Sequence, residues 1–414
     1  MWPSRRRRLH HPHWPKANVK QTPLARRNLI DRPSRTAVSA TGIGFAIVLM
    51  FMQLGFMGAV GDTATNVYGR TDGDLVIRSP EYLQAFDPRS LSARLIPFLH
   101  SMAEVAEVQS LDLGVGRWQN PLTGELRVVA LMGIDPLHPA LRLADLDELA
   151  PLLSRPGYVL VDRDSRADYG PQNRLRFSEQ DIGVETEVSG RRVTIAGTFE
   201  MGTGLAANGA ILVSRDGFSR LAPDRAFLAN PNERVSLLLV RLNPGISPRA
   251  GQAAIRRQLA QLGGASASTQ VLTMDEAKRA ERWHWYVETP IGMIFGMGVA
   301  LAVLVGGVIC YMVLAADIIS RLPEYATLKA IGYSNRYLMK VLLGQAVWLA
   351  GVAFPPAVLA SLLLYALTSL YSGIPIRMTL DRLVLVAVLS LVMCGTAGWI
   401  AIRKMTKAEP ANLF

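Results

Sequence analysis

The chain has 414 residues, of which 50% are hydrophobic and 19% charged, and its formal net charge is +11 at pH 7. Its mean hydropathy is positive, yet long polar stretches alternate with long apolar ones, which predicts membrane spans joined to a water-exposed domain. The excess positive charge flanks the apolar windows and is not gathered on one domain, which excludes a nucleic-acid partner.

Residues 1–35 form a cytoplasmic basic tail in which Arg5, Arg6, Arg7 and Arg8 precede His10, His11 and His13 among prolines. A structural metal site needs four positioned ligands, so this segment is assigned to contact with anionic lipid. Thr22 and Pro23 supply an N-cap and a first-turn proline. Residues 24–30 are then either a short interfacial helix or an unstructured basic flank, since so short a helix is marginal alone.

Four windows free of Asp, Glu, Lys and Arg follow, at 36–61, 289–316, 341–376 and 383–402. A crossing needs about 20 apolar residues, and the spans are placed at 36–61, 289–316, 341–371 and 383–402. The first has no small-residue cleavage site and is predicted to be a retained span. Residues 1–35 carry ten Lys or Arg against one Asp, 315–340 four against two, and 403–414 three against one, whereas 61–288 carry 25 basic and 28 acidic residues. By the positive-inside rule both termini, the loop 317–340 and the tail 403–414 are cytoplasmic, while 62–272 and the short loop 372–382 lie outside. The predicted fold class is therefore membrane α-helical, with four transmembrane helices and an α+β periplasmic domain inserted between the first and second. Cys310 and Cys394 both fall in spans, so the outer domain has no disulfide and depends on its own core.

Within that domain, β-rich runs bounded by turn residues predict strands at 74–78, 128–134, 158–162, 192–199, 210–214 and 235–242. Helices are predicted at 88–102 and 248–262, and a looser composition over 134–229 predicts a second lobe. At 273–288 a helix begins with a capping box, Thr273 and Glu276, and ends on Trp283, Trp285 and Tyr286, an aromatic belt at the second span. Running straight into that span, it is either a stalk that carries motion or an anchor that fixes depth. In the second span Gly292, Gly296 and Ala300 recur every fourth residue, a spacing that lets helices approach closely in lipid. Pro355 and Pro356 are expected to break or kink the third.

The dipeptide Gly-Lys does not occur, so no P-loop can form. Gly202, Gly204 and Ala207 fit a GxGxxA spacing, but Asn208 and Gly209 interrupt where its helix must start, and the segment is a turn. The spans hold no carboxylate or lysine, which argues against an ion-coupled carrier or a charged filter. HExxH, GxSxG and CxxC patterns are also absent. The chain is predicted to be a non-catalytic membrane subunit that receives energy from elsewhere, with no metal and no cofactor of its own.

The segment after the second span, RLPEYATLKAIGYS, opens with a first-turn proline at Pro323 and an acidic residue at Glu324. It closes on Gly332 before a second cap at Ser334. A nine-residue helix there needs a docking surface to be stable. The segment resembles the REx5LRALGAS-type motif of the FtsX-like permeases, and within them the DevC-type branch. LARRNLIDRPSRTAVSATGIGFAIVLMFMQLGF and the tail RKMTKAEPANLF resemble the two ends of that branch. The resemblance covers the first span and roughly the last 130 residues, and departs from the motif at Pro323. It implies a permease of an ABC transporter of the mechanotransmission type, similar to MacB, in the bacterial inner membrane. Two copies of the permease would work with two ABC ATPase subunits, which hold the ATP and magnesium. A periplasmic adaptor and an outer-membrane channel would complete an export route. Arg321, Glu324, Tyr325, Ala326, Leu328, Lys329, Ala330, Ile331 and Gly332 would contact the ATPase. The rival expectation is an FtsX-like transmembrane regulator of a periplasmic enzyme, without transport.

Overall fold

In the computed structural model, residues 33–202, 207–223, 225, 230–320, 335–372, 374 and 376–407 are described. Residues 1–32 of the basic tail, with residues 24–30 among them, and the whole RLPEYATLKAIGYS segment lie outside them. Four long helices, Pro33–Ala64, Pro290–Ser320, Asn335–Ser372 and Leu380–Lys407, account for the apolar windows. Their membrane-length parts are Thr36–Ala64, Pro290–Ala316, Leu343–Tyr371 and Leu380–Ala401, each above the length a crossing requires. The helix Asn335–Ser372 continues through Pro355 and Pro356, so the expected break is not seen. The described residues fall into two compact units. One lies within Met1–Ile47, Val303–Val358 and Val386–Phe414, the other within Val48–Ala302 and Leu359–Leu385.

In the first unit, packing relies on small residues. Gly306 faces Ala46 and the Met393 side chain, Gly42 faces Ile309, and Gly44 lies against Ala353 and Ala357. Cys310 and Cys394 are both buried there as free thiols.

The second unit contains a nine-stranded mixed sheet. Its strands are β1 (Leu75–Arg78), β3 (Val105–Gln119), β4 (Leu126–Ile134), β5 (Tyr158–Asp162), β6 (Glu185–Val188), β7 (Arg191–Phe199), β8 (Ala210–Ser214), β10 (Leu237–Leu242) and β11 (Gln270–Thr273). They are ordered β11-β1-β10-β3-β4-β8-β5-β7-β6, and β2 (Leu91–Ser92) pairs with β9 (Arg234–Val235) in a separate ribbon. In chain order all of these strands lie between Ala64 and Pro290.

The 15-residue β3 joins two parts of the sheet. Val105–Leu111 pairs with β10, and Leu111–Gln119 pairs with β4. Beyond β4 the sheet curls until Trp118 of β3 pairs with Val188 of β6. This closed part encloses its own core of Trp118, Leu131, Val161, Phe177, Ile195 and Phe218. The looser segment 134–229 thus forms a second core without leaving the sheet. In the other part, β1 is buried on both faces. Leu75 and Ile77 face a core shared with Leu99, Ile255 and Leu259, while Val76 faces one shared with Tyr68, Leu239 and Ala277. Alternate residues reaching two cores follow from the two-residue period of a strand.

The helix Pro248–Leu262 forms as predicted: Ser247 caps it by accepting from Ala250 N–H at 3.4 Å, and Pro248 opens its first turn. The expected helix at 88–102 is reduced to Leu95–His100, because Leu91 and Ser92 pair instead with Val235 and Arg234.

Candidate functional site at the sheet edge

At one end of the sheet the edge strand β11 and its neighbour β1 connect to the elements that precede and follow the domain. The helix Pro33–Ala64 ends at Thr65, whose hydroxyl donates to Gly61 O at 2.9 Å, and the chain enters β1 ten residues later. On the return, β11 pairs antiparallel with β1 over four residues, Leu75↔Thr273 to Arg78↔Gln270. It then continues without a loop into the stalk helix Met274–Trp283. The predicted capping box is present: Thr273 Oγ1 accepts from Glu276 N–H at 3.3 Å, and Glu276 Oε2 accepts from Thr273 N–H at 3.0 Å. The Thr273 amide holds the Glu276 carboxyl below its usual range, with help from Gln252.

The stalk helix is tied to the domain by a carboxylate that is only 1% exposed. Glu281 accepts from the Tyr82 hydroxyl at 2.6 Å, Ala85 N–H at 3.0 Å and Trp285 Nε1–H at 3.3 Å. Because Tyr82 uses its proton in the bond to Glu281, the Tyr68 hydroxyl, 2.6 Å from that of Tyr82, donates to Tyr82. Burial pushes both phenols well above their ordinary range. The Arg78 guanidinium lies 4.0 Å from the centre of the Tyr82 ring and donates to Gln270 Oε1 at 2.9 Å, linking β1, β11 and the tyrosine pair.

The stalk does not run straight into the next long helix. A π-turn at His284–Glu288 widens the backbone, Thr289 is extended at ψ 152°, and Pro290 starts the next helix. The residue before a proline is pushed out of the helical region, and π-turns recur at functional sites. Around this break the helix ends on the sheet side of the chain meet through glycine. A Cβ on Gly61 would overlap the Tyr286 hydroxyl, and one on Gly58 would overlap the Arg382 guanidinium. Asp62 lies 3.9 Å from Arg282 and 4.0 Å from Arg382, and Phe56 stacks on Phe295 at 5.6 Å.

Beside the end of the first long helix a cavity of about 850 Å3 is lined by Asn66, Met201 and Gly202 together with charged side chains. Its wall is fixed by Asp162 at the end of β5, which accepts from the amides of Met201 at 3.0 Å, Gly202 at 3.1 Å and Asp164 at 3.2 Å. Gly202 has φ +92°, where a side chain would be strained. Asn66 donates to Met201 O at 2.9 Å from the opposite side. Burial pushes the Asp162 carboxyl up to about 6, against the pull of the Met201 amide. The folded state therefore holds this proton more tightly than the unfolded chain. Stability should fall by up to about 3 kcal/mol as pH rises from about 4 to about 6, and then level off. Melting curves of the full chain in detergent check this, and Asp162→Asn, which still offers an acceptor, should flatten that slope.

Residues 296–410 match the sequence profile of the family described as FtsX-like permease, C-terminal. Over these residues the chain is similar to the FtsX-like permeases. That family is one of ABC-type transporter permeases. No curated protein matches the permease in sequence. Among solved structures it is similar to the periplasmic region of MacB from Actinobacillus actinomycetemcomitans, at 10% identity and TM-score 0.36, covering 52% of this chain and 95% of that one. It is also similar to the extracellular domain of the noncanonic ABC-type transporter YknZ from Gram-positive bacteria, at 14% identity and TM-score 0.33, covering 49% and 100%. A permease-protein domain from Porphyromonas gingivalis has 15% identity and TM-score 0.31, covering 48% and 87%.

The nine residues expected to contact an ATPase, from Arg321 to Gly332, fall within the family match but outside the described residues. Gly292 is buried against the backbone of Tyr286, while Gly296 and Ala300 stand on the exposed side of their helix. A further close approach on the same helix is at Gly298, where a Cβ would overlap Gln53. Of the predicted aromatic belt, Trp283 is exposed, whereas Trp285 serves Glu281 and Tyr286 covers Gly61.

Proposed function

We propose that this permease is a mechanical subunit of an ABC-type export system, with the sheet outside the cytoplasm and both termini inside. A separate ATPase, in two copies with ATP and magnesium, docks on Arg321–Gly332. Its closure moves the long helices, and the sheet edge moves with them. A second copy of this chain packs on the exposed Gly296 and Ala300 face of the second span. The outer domain passes substrate to a periplasmic adaptor and an outer-membrane channel, from the bacterial inner membrane.

The observation that carries this reading is the sheet edge: β1 and β11 are hydrogen-bonded neighbours, β1 follows the first long helix through a short connection, and β11 runs into the stalk helix, which the π-turn at His284–Glu288 joins to the second. A ladder of backbone bonds and the buried Glu281 link leave the stalk helix little freedom to move apart from the strands. The test is the ATPase rate of the purified permease–ATPase complex with and without adaptor. The adaptor should stimulate hydrolysis, and Glu324→Arg should return the stimulated rate to the basal one while the complex stays assembled. Unchanged stimulation in Glu324→Arg would reject this docking site. Stimulation by a periplasmic hydrolase in place of an adaptor would reassign the permease to regulation of that enzyme.

A further inference from the structure

The cavity next to the first long helix has a charge balance that its own residues do not settle. Four guanidinium groups line it, from Arg70, Arg166, Arg176 and Arg377, against the carboxylates of Asp62, Asp164 and Asp168. Every one of those carboxylates is already engaged. Arg176 lies 3.4 Å from Asp164, Arg127 lies 3.5 Å from Asp168, and Asp62 is shared by Arg282 and Arg382. Among the described residues, Arg70 and Arg377 have no carboxylate within 4 Å. Two uncompensated guanidinium groups in a concave site constitute an anion receptor, and the planar fork of arginine matches the oxygens of a phosphate.

The place of the cavity narrows the choice of anion. Asp62 and Thr63 belong to the last turn of the membrane-length part Thr36–Ala64, and Ser369 and Tyr371 to the end of Leu343–Tyr371. A site lined by the ends of two spans lies where hydrocarbon gives way to lipid headgroups, the level at which tyrosine also concentrates. At about 850 Å3 it is within the usual size range of pockets that enclose a small ligand. We infer that the cavity binds a phosphate ester presented by a phospholipid headgroup, with Arg70 and Arg377 taking the phosphate oxygens. This rests on the reading that the four long helices cross a membrane.

The experiment is native mass spectrometry of the full chain in detergent, titrated with dioleoyl phosphatidylglycerol, for wild type and for Arg70→Gln/Arg377→Gln. The double variant should bind the lipid at least about tenfold more weakly, since two charge-assisted pairs are lost. Diacylglycerol, which lacks the phosphate, should not compete. Equal binding by the double variant would overturn the proposal, as would competition by diacylglycerol. Displacement by millimolar inorganic phosphate would keep the phosphate chemistry and overturn the lipid as its source. Should the double variant melt early, Arg377→Gln alone carries the test, because that side chain is exposed and outside the core. Alkaline carbonate extraction of the same cells separates the two readings. Release of the chain would reject the membrane crossing, whereas retention with equal lipid binding would reject only the headgroup site.

Discussion

Arg225→Ala is expected to destabilise the sheet domain by about 3 kcal/mol, because it leaves a buried carboxylate with only the more distant Arg215 as charge partner. Arg225 is 3% exposed and Asp112 is 1% exposed. Arg225 Nη2 donates to Asp112 Oδ1 at 3.0 Å and to Ser236 Oγ at 3.1 Å, while Nη1 donates to Arg234 O at 2.8 Å. Ser236 N–H donates to the same Asp112 oxygen at 2.9 Å, and Arg215 reaches the other oxygen at 3.5 Å. Asp112 follows Leu111, the residue at which β3 exchanges β10 for β4, so this network fixes the register where the two parts of the sheet meet.

Burial already raises the Asp112 carboxyl against the attraction of Arg225, and losing that attraction raises it further. The variant should therefore regain stability as pH falls and the carboxyl is neutralised, the direction required for a group whose folded pKa lies above its unfolded one. Replacing the pair together, Asp112→Asn with Arg225→Met, should cost far less than Arg225→Ala, because no fully buried charge is left and Arg215, the remaining partner, is partly exposed. Thermal melting of the three variants in detergent measures both effects. Equal losses in the single and double variants would show that the network contributes shape and not charge balance.

Glu281→Ala should act at the stalk. Three donors, the buried amide of Ala85 and the half-buried Tyr82 hydroxyl and Trp285 indole, lose their acceptor together, for a total of about 2 kcal/mol at up to about 1 kcal/mol each. Glu281→Gln keeps one acceptor oxygen and should lose roughly half as much. Structural damage alone would leave the ATPase rate of the complex responding normally to adaptor. A mechanical role for Glu281 predicts that stimulation is lost in Glu281→Ala at temperatures where the domain is still folded, as judged by protease resistance. Tyr82→Phe, which removes one donor together with its hydrogen bond to Tyr68, should fall between the two.

Much of this fold was legible in the sequence, for reasons that also explain what was not. Strands Tyr158–Asp162 and Ala210–Ser214 were predicted with their observed limits because each is a short β-branched run closed by turn residues. The helix Pro248–Leu262 was marked by its serine cap and first-turn proline. By contrast β3 escaped notice, since Glu107, Asp112, Gly114 and Gly116 interrupt its apolar pattern, although it is the longest strand and the one that joins the two cores. β6 and β11 are short and half polar; β6 forms a hairpin with the adjacent β7, whereas β11 pairs with β1 from the far end of the domain.

The capping box at Thr273 was readable from spacing alone, but Glu281 was not. In AKRAERWHWY it looks like one more charge on a solvated helix face, and only the tertiary placement of Tyr82 and Ala85 makes it a buried acceptor. The small-residue stripe in the second span marked one face of the helix, of which Gly292 packs within the chain, while Gly298 and Gly306 make further close approaches outside the stripe. Spacing identifies a surface suited to close approach without saying which neighbour takes it.

Everything in the proposed mechanism requires the nine-stranded sheet to lie across the membrane from the loop 321–334. The direct measurement is labelling of spheroplasts with a membrane-impermeant maleimide, using single cysteines introduced for Glu187 and Gly245, since Cys310 and Cys394 are buried. Both introduced cysteines should react without lysis, and one placed in the tail 403–414 should react only after it. Reaction of Glu187→Cys and Gly245→Cys only after lysis would place the sheet in the cytoplasm and contradict the mechanism.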